Sequence, residues 1–320
     1  MIHGPPLYEK EERELTVIGF LGFGEVASTF SQALRTGDAR VLAYDVLLDH
    51  PGGRERLVAR GAGEPPELLP LSALLAQADV VLSTVTTDVA LSAARDCVPM
   101  MRARQVYIDL NATSPSVKRD IGAVVAASDA DFLEGAILPA VGVMGAKSKI
   151  LLCGARAAEL AATLSQLGLN AHAYGAEIGR ASSFKMLRSV FSKGLEALLV
   201  ECLLAGRRAG VEADLWQEIV ATIDAAPFDQ VGGNWVRTHA TAHGRRYHEM
   251  VQVQGVLREL GVDAPMTAAT VTLFERSTRL ALKDGFSAPP QRAGDVTAAL
   301  DALIQSSIHR SQGQECEPTE

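Results

Sequence analysis

Short runs of apolar, β-branched residues alternate with Ala-rich amphipathic stretches through the first half of the chain; the second half holds only the amphipathic stretches. The runs LTVIGF, RVLAYDV, ADVVLSTV, QVYIDLN, DFLEGAI and KILLCG lie between Leu15 and about Tyr174. They are too continuously apolar to face water on one side. They predict a doubly wound, mainly parallel sheet, covered on both faces by helices such as EVASTFSQALRTG and PSVKRDIGAVVAAS. After about Gly179 the strand pattern stops. Phe184, Leu187, Phe191, Leu195, Leu198, Cys202 and Ala205 recur at three- and four-residue steps, which predicts one long helix with a buried apolar stripe, closed by Gly210. ADLWQEIVATI, TAHGRRYHEMVQVQGVLRELG and PMTAATVTLFERSTRLAL predict further helices. This switch from α/β to all-α places a domain boundary near residue 178. The expected organisation is a flexible leader over 1–14, an α/β domain over 15–178, an all-helical domain over 179–310 and a frayed tail over 311–320.

Composition narrows the function classes. The 320 residues are 48% hydrophobic and 21% charged, with a formal net charge of −8. An acidic chain lacks the basic face that nucleic acid or an anionic membrane requires, so neither is expected as a partner. Cys97, Cys153, Cys202 and Cys316 are scattered without a C-x-x-C pair, which argues against a disulfide framework or a zinc site and fits a reducing cytoplasm. Of the four histidines from His172 to His248, only His239 and His243 share a helix face, and no third ligand accompanies them; no metal is expected. No signal peptide or membrane span is read.

The stretch TVIGFLGFGEVA carries Gly19, Gly22 and Gly24 between the first strand and the first helix. Gly19 is expected to turn the strand, Gly22 to let a pyrophosphate approach the backbone, and Gly24 or Ala27 to bring helix and strand together. The free N–H groups of the helix start, at Glu25 and Val26 beside Phe23, favour an anion. The second strand ends in Asp45, 21 residues beyond Gly24, where a carboxylate accepts hydrogen bonds from an adenosine ribose and repels a 2′-phosphate. These features predict a dinucleotide-binding Rossmann domain with NAD as cofactor and NADP as the alternative, since Arg54 and Arg56 lie downstream. Thr84 and Val85, ending the third run, complete the candidate cofactor contacts. The competing reading is a tight turn followed by an Asp that merely ends a strand.

From about Thr16 to about Ser277 the chain resembles the β-hydroxyacid dehydrogenase family, which includes 3-hydroxyisobutyrate dehydrogenase and, more distantly, 6-phosphogluconate dehydrogenase. The family's loop G-F-I-G-L-G-x-M-G matches Gly19 to Gly24, with Ala27 for the last Gly. Its I-D-x-S-T-x-x-P matches Asp109 and Pro115, but Asn111 and Ala112 replace Ser-Thr. Asn111 either reaches the nicotinamide or, with Thr113 and Ser114, caps the helix that begins at Pro115. The family's G-x-G-x-x-x-K-x-x-x-N aligns with Gly179 to Ser189, keeping Lys185 and replacing Asn by Ser189. Lys185, Ser189, Ser192 and Glu196 share one helix face, where partial desolvation suits a lysine to proton transfer; the alternative is a solvated surface lysine.

Two elements depart further from the family. Its D-A-P-V-S-G-G loop has become Glu134 to Ala140, with Leu138 and Pro139 in place of the carboxylate-receiving Ser-Gly, so this substrate loop is expected to be more apolar. His248 stands where the family has a Lys near the nicotinamide. Arg245 and Arg246 just before it either bind a substrate anion or form a solvated helix face with Glu249. The resemblance implies an NAD(P)-dependent dehydrogenase of a small hydroxyacid. Lys185 would exchange the hydroxyl proton, Ser189 and His248 would orient the substrate, and the helical domain would pair two subunits as a homodimer. A ketone or imine reductase of the same fold, and a non-catalytic dinucleotide sensor, stand as the alternatives.

Overall fold

A computed structural model describes residues 16–60, 65–139 and 141–314. The expected leader, the end of the tail (315–320) and Ala140 of the substrate loop lie outside these residues. The chain divides into two compact units at Val190/Phe191.

The first unit alternates strands and helices. β1 (Val17–Leu21), α1 (Glu25–Thr36), β2 (Arg40–Tyr44), α2 (Gly53–Arg60), β3 (Glu67–Leu68), α3 (Leu71–Gln77), β4 (Val80–Ser83) and α4 (Ala90–Cys97) form its first half. β5 (Val106–Asp109), α5 (Pro115–Val125), β6 (Asp131–Leu138), the single turn α6 (Val141–Met144), β7 (Lys149–Cys153), α7 (Ala157–Gln166) and β8 (Asn170–Gly175) follow. The strands make one sheet in the order β3-β2-β1-β4-β5-β6-β7-β8, parallel throughout except for the antiparallel β6–β7 pair. Connections leave β1 in opposite directions, so the sheet has its switch point between β1 and β4.

Residue alternation explains why both faces are covered. Ile18, Phe20, Val41, Ala43, Leu82 and Ile108 pack into the core on one face, against α1 and α7. Their neighbours Leu21, Leu42, Val81 and Tyr107 pack on the other, against α3, α4 and α5. A strand buried on both sides must be apolar at both phases of its two-residue period, as these runs are.

α8 (Arg180–Ala209) is one unbroken helix that begins in the first unit and continues into the second. Gly210, at φ +76°, ends it. The second unit adds α9 (Glu212–Asp224), α10 (Phe228–Glu259), α11 (Pro265–Arg279) and α12 (Ala293–Gln314). α10 begins at Phe228 rather than Thr241, running through Gly232 and Gly233. Aromatic contacts of Phe228 with Phe191 and Trp235 accompany this extension, so packing overrides the low helix propensity of the glycines. α12 reaches Gln314, so the tail is helical for its first four residues, against the expectation of fraying. Glu201, itself buried, accepts the N–H groups of Met266 and Thr267 at 2.7 and 2.9 Å and so satisfies the start of α11. The apolar stripe of α8 is a correction: among the described residues Leu187 is left 70% exposed, and Phe191, although it meets Phe228, 56%.

Candidate functional site

The turn from β1 into α1 opens a cavity of ≈ 450 Å³ whose lining includes Gly22, Gly24, Asp45, Thr84, Val85 and Asp96. The glycines divide their labour differently from the sequence expectation. Gly19 sits within β1, where a Cβ would meet Leu74 of α3 and Ala78, the residue that caps it, at 2.8 and 2.9 Å; it serves packing, not turning. Gly22 makes the turn at φ +86°, with the Thr84 carbonyl 3.0 Å from where a Cβ would stand. Gly24 has open space beside it and begins α1 without a side-chain cap, leaving first-turn N–H groups available to an anion. Ala27 is fully buried between helix and sheet. The working frame is therefore Gly22-x-Gly24-x-x-Ala27, the spacing that fits a dinucleotide pyrophosphate.

Asp45 follows β2 and braces this loop. One carboxylate oxygen accepts the N–H of Phe23 at 2.9 Å and the other that of Leu47 at 2.9 Å. The Phe23 N–H is thus used by Asp45, and its ring lies in the core, so Phe23 shapes the loop from within. Thr84 donates its hydroxyl to the Gly22 carbonyl at 2.8 Å, tying β4 to the turn. The Tyr44 phenol donates to Asp49; burial first, then Asp49, Asp45 and Asp96, push its pKa well up. Among the described residues the cavity lining includes Asp45 and Asp96 and no Lys or Arg. Arg54 is turned to the Leu68 carbonyl. These residues fit a dinucleotide cofactor.

A second cavity, ≈ 260 Å³, opens beyond the ends of β5 and β6 beside the first turns of α8. Asn111, Thr113, Ala136, Ser182, Lys185 and Ser189 contribute to its wall. Lys185 and Ser189 thus share one cavity with Asn111, and Ser189 donates its hydroxyl to the Lys185 carbonyl at 3.0 Å. The start of α8 is fixed from β6: buried Glu134 accepts the Ala181 N–H at 2.8 Å and the Ser182 hydroxyl at 2.9 Å. The capping of α5 belongs to Ser114, which accepts the Val117 N–H, and not to Asn111.

Asn111 instead belongs to a buried polar chain. Its amide nitrogen donates to Ser83 Oγ at 3.0 Å and to Asp109 Oδ1. Asp109 Oδ2 lies 2.6 Å from the ammonium of Lys118, both side chains being almost wholly out of water. Burial pulls the Lys118 ammonium below its ordinary pKa, and the Asp109 charge opposes that pull. Lys118 was not singled out from sequence. The signal was present: it shares the apolar phase of Ile121 and Val125 on α5, where a lysine stands out.

Leu138 and Pro139 do not join Lys185. They line a separate open cavity with Lys147, Lys149, His172 and Arg188, so the expected apolar substrate loop is corrected to the wall of a partly cationic cleft. In the second unit, exposed Arg245 pairs with exposed Glu249, the solvated-face alternative. Arg246 donates to the Thr238 hydroxyl at 2.8 Å, and exposed His248 packs edge-on to Tyr247. His239 and His243 are core residues there: His239 meets Ser277 Oγ at 2.9 Å and packs on Phe274. Among the described residues no group of three His, Cys, Asp or Glu side chains is arranged to hold a metal, and no helix is long and apolar enough to cross a membrane.

Residues 207–277 match a domain of unknown function (DUF1932). A conserved hypothetical protein from Sinorhizobium meliloti 1021 is 32% identical in sequence, with 91% of this chain and 98% of that one covered at a TM-score of 0.57. The conserved protein MTH1747, of unknown function and described as structurally similar to 3-hydroxyacid dehydrogenases, is also 32% identical, covering 84% and 97% at a TM-score of 0.55. An imine reductase from Myxococcus stipitatus, solved with NADP+, superposes at a TM-score of 0.69 over 82% of this chain and 94% of its own; at 16% identity the likeness is one of fold.

Proposed function

Because the chain belongs to the β-hydroxyacid dehydrogenase family, as a divergent member, we propose that it is an NAD(P)-dependent oxidoreductase acting on a small CH–OH substrate. The observation that carries this reading is the cavity shared by Lys185, Ser189 and Asn111 at β5 and β6, on the same sheet as the glycine loop of β1, from which only β4 separates β5.

A bound nicotinamide would supply or receive the hydride. The chain's own part is to hold the dinucleotide and to manage the substrate's proton. Gly22 and Gly24 leave room for the pyrophosphate, and the open first turn of α1 faces it with N–H donors. Asp45 accepts the ribose hydroxyls. With Asp96 in the same cavity and no cation among the described residues of the lining, NAD is preferred over NADP. Lys185 Nζ donates a proton to, or takes one from, the substrate oxygen as it changes between hydroxyl and carbonyl. Ser189, with its hydrogen committed to the Lys185 carbonyl, offers lone pairs to the substrate.

A second reading has its own support. Among the described residues Lys185 is the one cationic side chain in the wall of its cavity, and the anion-receiving loop of the family is replaced by Leu138 and Pro139 at a different cavity. A ketone or imine with no carboxylate suits such a wall. Pairing of two subunits through the exposed apolar residues of α8, Leu187 and Val190 among them, completes the proposal.

The test is calorimetric titration with NADH and NADPH, followed by turnover of hydroxyacids, apolar ketones and imines by the wild type and Lys185→Ala. Tighter NADH binding and hydroxyacid turnover that Lys185→Ala lowers by roughly 10²-fold or more are expected. Turnover of imines or ketones alone selects the second reading. Cofactor binding without any turnover turns the chain into a dinucleotide sensor.

A further inference from the structure

The amide of Asn111 is held in one orientation. Asp109, as the partner of an ammonium, presents only acceptors, so the atom of Asn111 that meets it is the nitrogen. The second N–H of that amide goes to Ser83 Oγ. Both donors are spent, and Asn111 Oδ1 has no partner among the described residues although the residue is only 6% exposed. Thr113 Oγ1, two residues on in the same cavity wall, is likewise buried and unpartnered. Buried polar groups left unmatched are costly; the Asn111 oxygen calls for a ligand that brings a donor, and the Thr113 hydroxyl for a polar ligand of either kind.

Lys118 sets this up from behind. Its ammonium contacts Asp109 Oδ2 at 2.6 Å, the Asp109 carbonyl at 2.8 Å and the Gly135 carbonyl at 3.4 Å. It thus joins the ends of β5 and β6 that carry Asn111 and Ala136 into the cavity. A dinucleotide laid across the switch point, with its adenosine ribose at Asp45 beyond β2, carries its other end toward β4 and β5. Ser83, bonded to Asn111, is the neighbour of Thr84 in the dinucleotide cavity.

We propose that Lys118 and Asp109 are positioning residues that fix the Asn111 amide with its carbonyl oxygen free, and that this oxygen accepts an N–H of the nicotinamide carboxamide. The inference rests on the dinucleotide reading given above. It assigns a recognition role to a buried ion pair that touches neither cofactor nor substrate.

The 3-acetylpyridine analogue of NAD+ tests it, because a methyl group replaces the carboxamide NH2 while the carbonyl stays. Calorimetric titration of wild type is expected to show NAD+ binding roughly tenfold tighter than the analogue, the equivalent of one hydrogen bond. Asn111→Ala, which leaves Lys118 and Asp109 paired, and the double variant Asp109→Asn with Lys118→Met, which strands no charge, are expected to bring the two affinities within about twofold. A purely structural role for the pair would change both affinities together and leave their ratio intact. Equal binding of both dinucleotides by wild type, or a preference that survives in Asn111→Ala, overturns the inference while the cofactor reading stands. Wild type that binds no dinucleotide overturns the cofactor reading itself.

Discussion

Glu134, on β6, accepts the Ser182 hydroxyl and the Ala181 N–H, so a fully buried carboxylate closes the first turn of α8 one turn before Lys185. The helix start presents partial positive charge and unpaired donors, and a carboxylate there answers both. Glu134→Gln keeps the shape and removes the charge. Its unfolding free energy, from urea titration, is expected to drop by about 1–2 kcal/mol. Dinucleotide binding is expected to persist, because the glycine loop lies elsewhere on the sheet.

Gly19 and Gly24 separate stability from binding. Gly19→Ala drives a methyl into Leu74 and Ala78, and should destabilise the fold by about 1–3 kcal/mol. Gly24→Ala meets nothing within 4 Å among the described residues and needs no unusual backbone, so its melting temperature should match wild type within a degree or two. The added methyl stands where the pyrophosphate approaches, so NADH affinity should fall by roughly tenfold or more. Loss of melting temperature in Gly24→Ala without loss of affinity would assign that glycine to packing.

His239 makes stability depend on pH. Burial first, then His243 and Arg246, lower its pKa to about 4 from 6.5. The fold keeps the ring neutral, so between those values the unfolded chain binds a proton that the folded chain refuses. Its contribution is complete above pH 6.5 and is lost as pH falls toward 4, by roughly 3 kcal/mol at most. Denaturant titrations at pH 7.5, 5.5 and 4.5 should show wild type losing stability faster than His239→Gln. Parallel pH profiles would contradict the assignment.

The exposed apolar residues of α8 bear on assembly. Leu187 and Val190 are 70% and 72% exposed, and the second unit leaves Trp216, Phe228 and Trp235 each 46% exposed. Apolar surface on this scale is a mark of a binding face. Light scattering after gel filtration is expected to give twice the chain mass, and Leu187→Glu with Val190→Glu to shift it toward one chain. A monomer in wild type would exclude the paired-subunit proposal.

The α/β order of the first unit was legible because burial on both faces forces apolar residues at both phases of a strand, as in Val80–Leu82. The glycine loop was legible in place but not in detail. Which glycine turns and which packs depends on α3 and β4, elements far along the chain, and Gly19 gives no local sign that Leu74 will lie against it. The extent of α10 was hidden by Gly232 and Gly233, whose low propensity is outweighed by tertiary packing. Lys185 was found through a motif and stands beside Ser189 in a cavity wall. Lys118 carries no motif at all; only its misplaced charge on an apolar helix phase marks it.

Asp45 serves two tasks with one carboxylate, bracing the Phe23 and Leu47 N–H groups and facing the dinucleotide cavity. That overlap constrains how this lineage can change over generations. A single replacement of Asp45 that admitted a 2′-phosphate would also release two backbone donors and loosen the loop that holds the pyrophosphate. New cofactor preference and damaged cofactor binding would arrive in the same step. An evolutionary change of the proposed preference for NAD must therefore start at a neighbour such as Val46, exposed in the same cavity wall, and build a substitute brace before Asp45 is free to go.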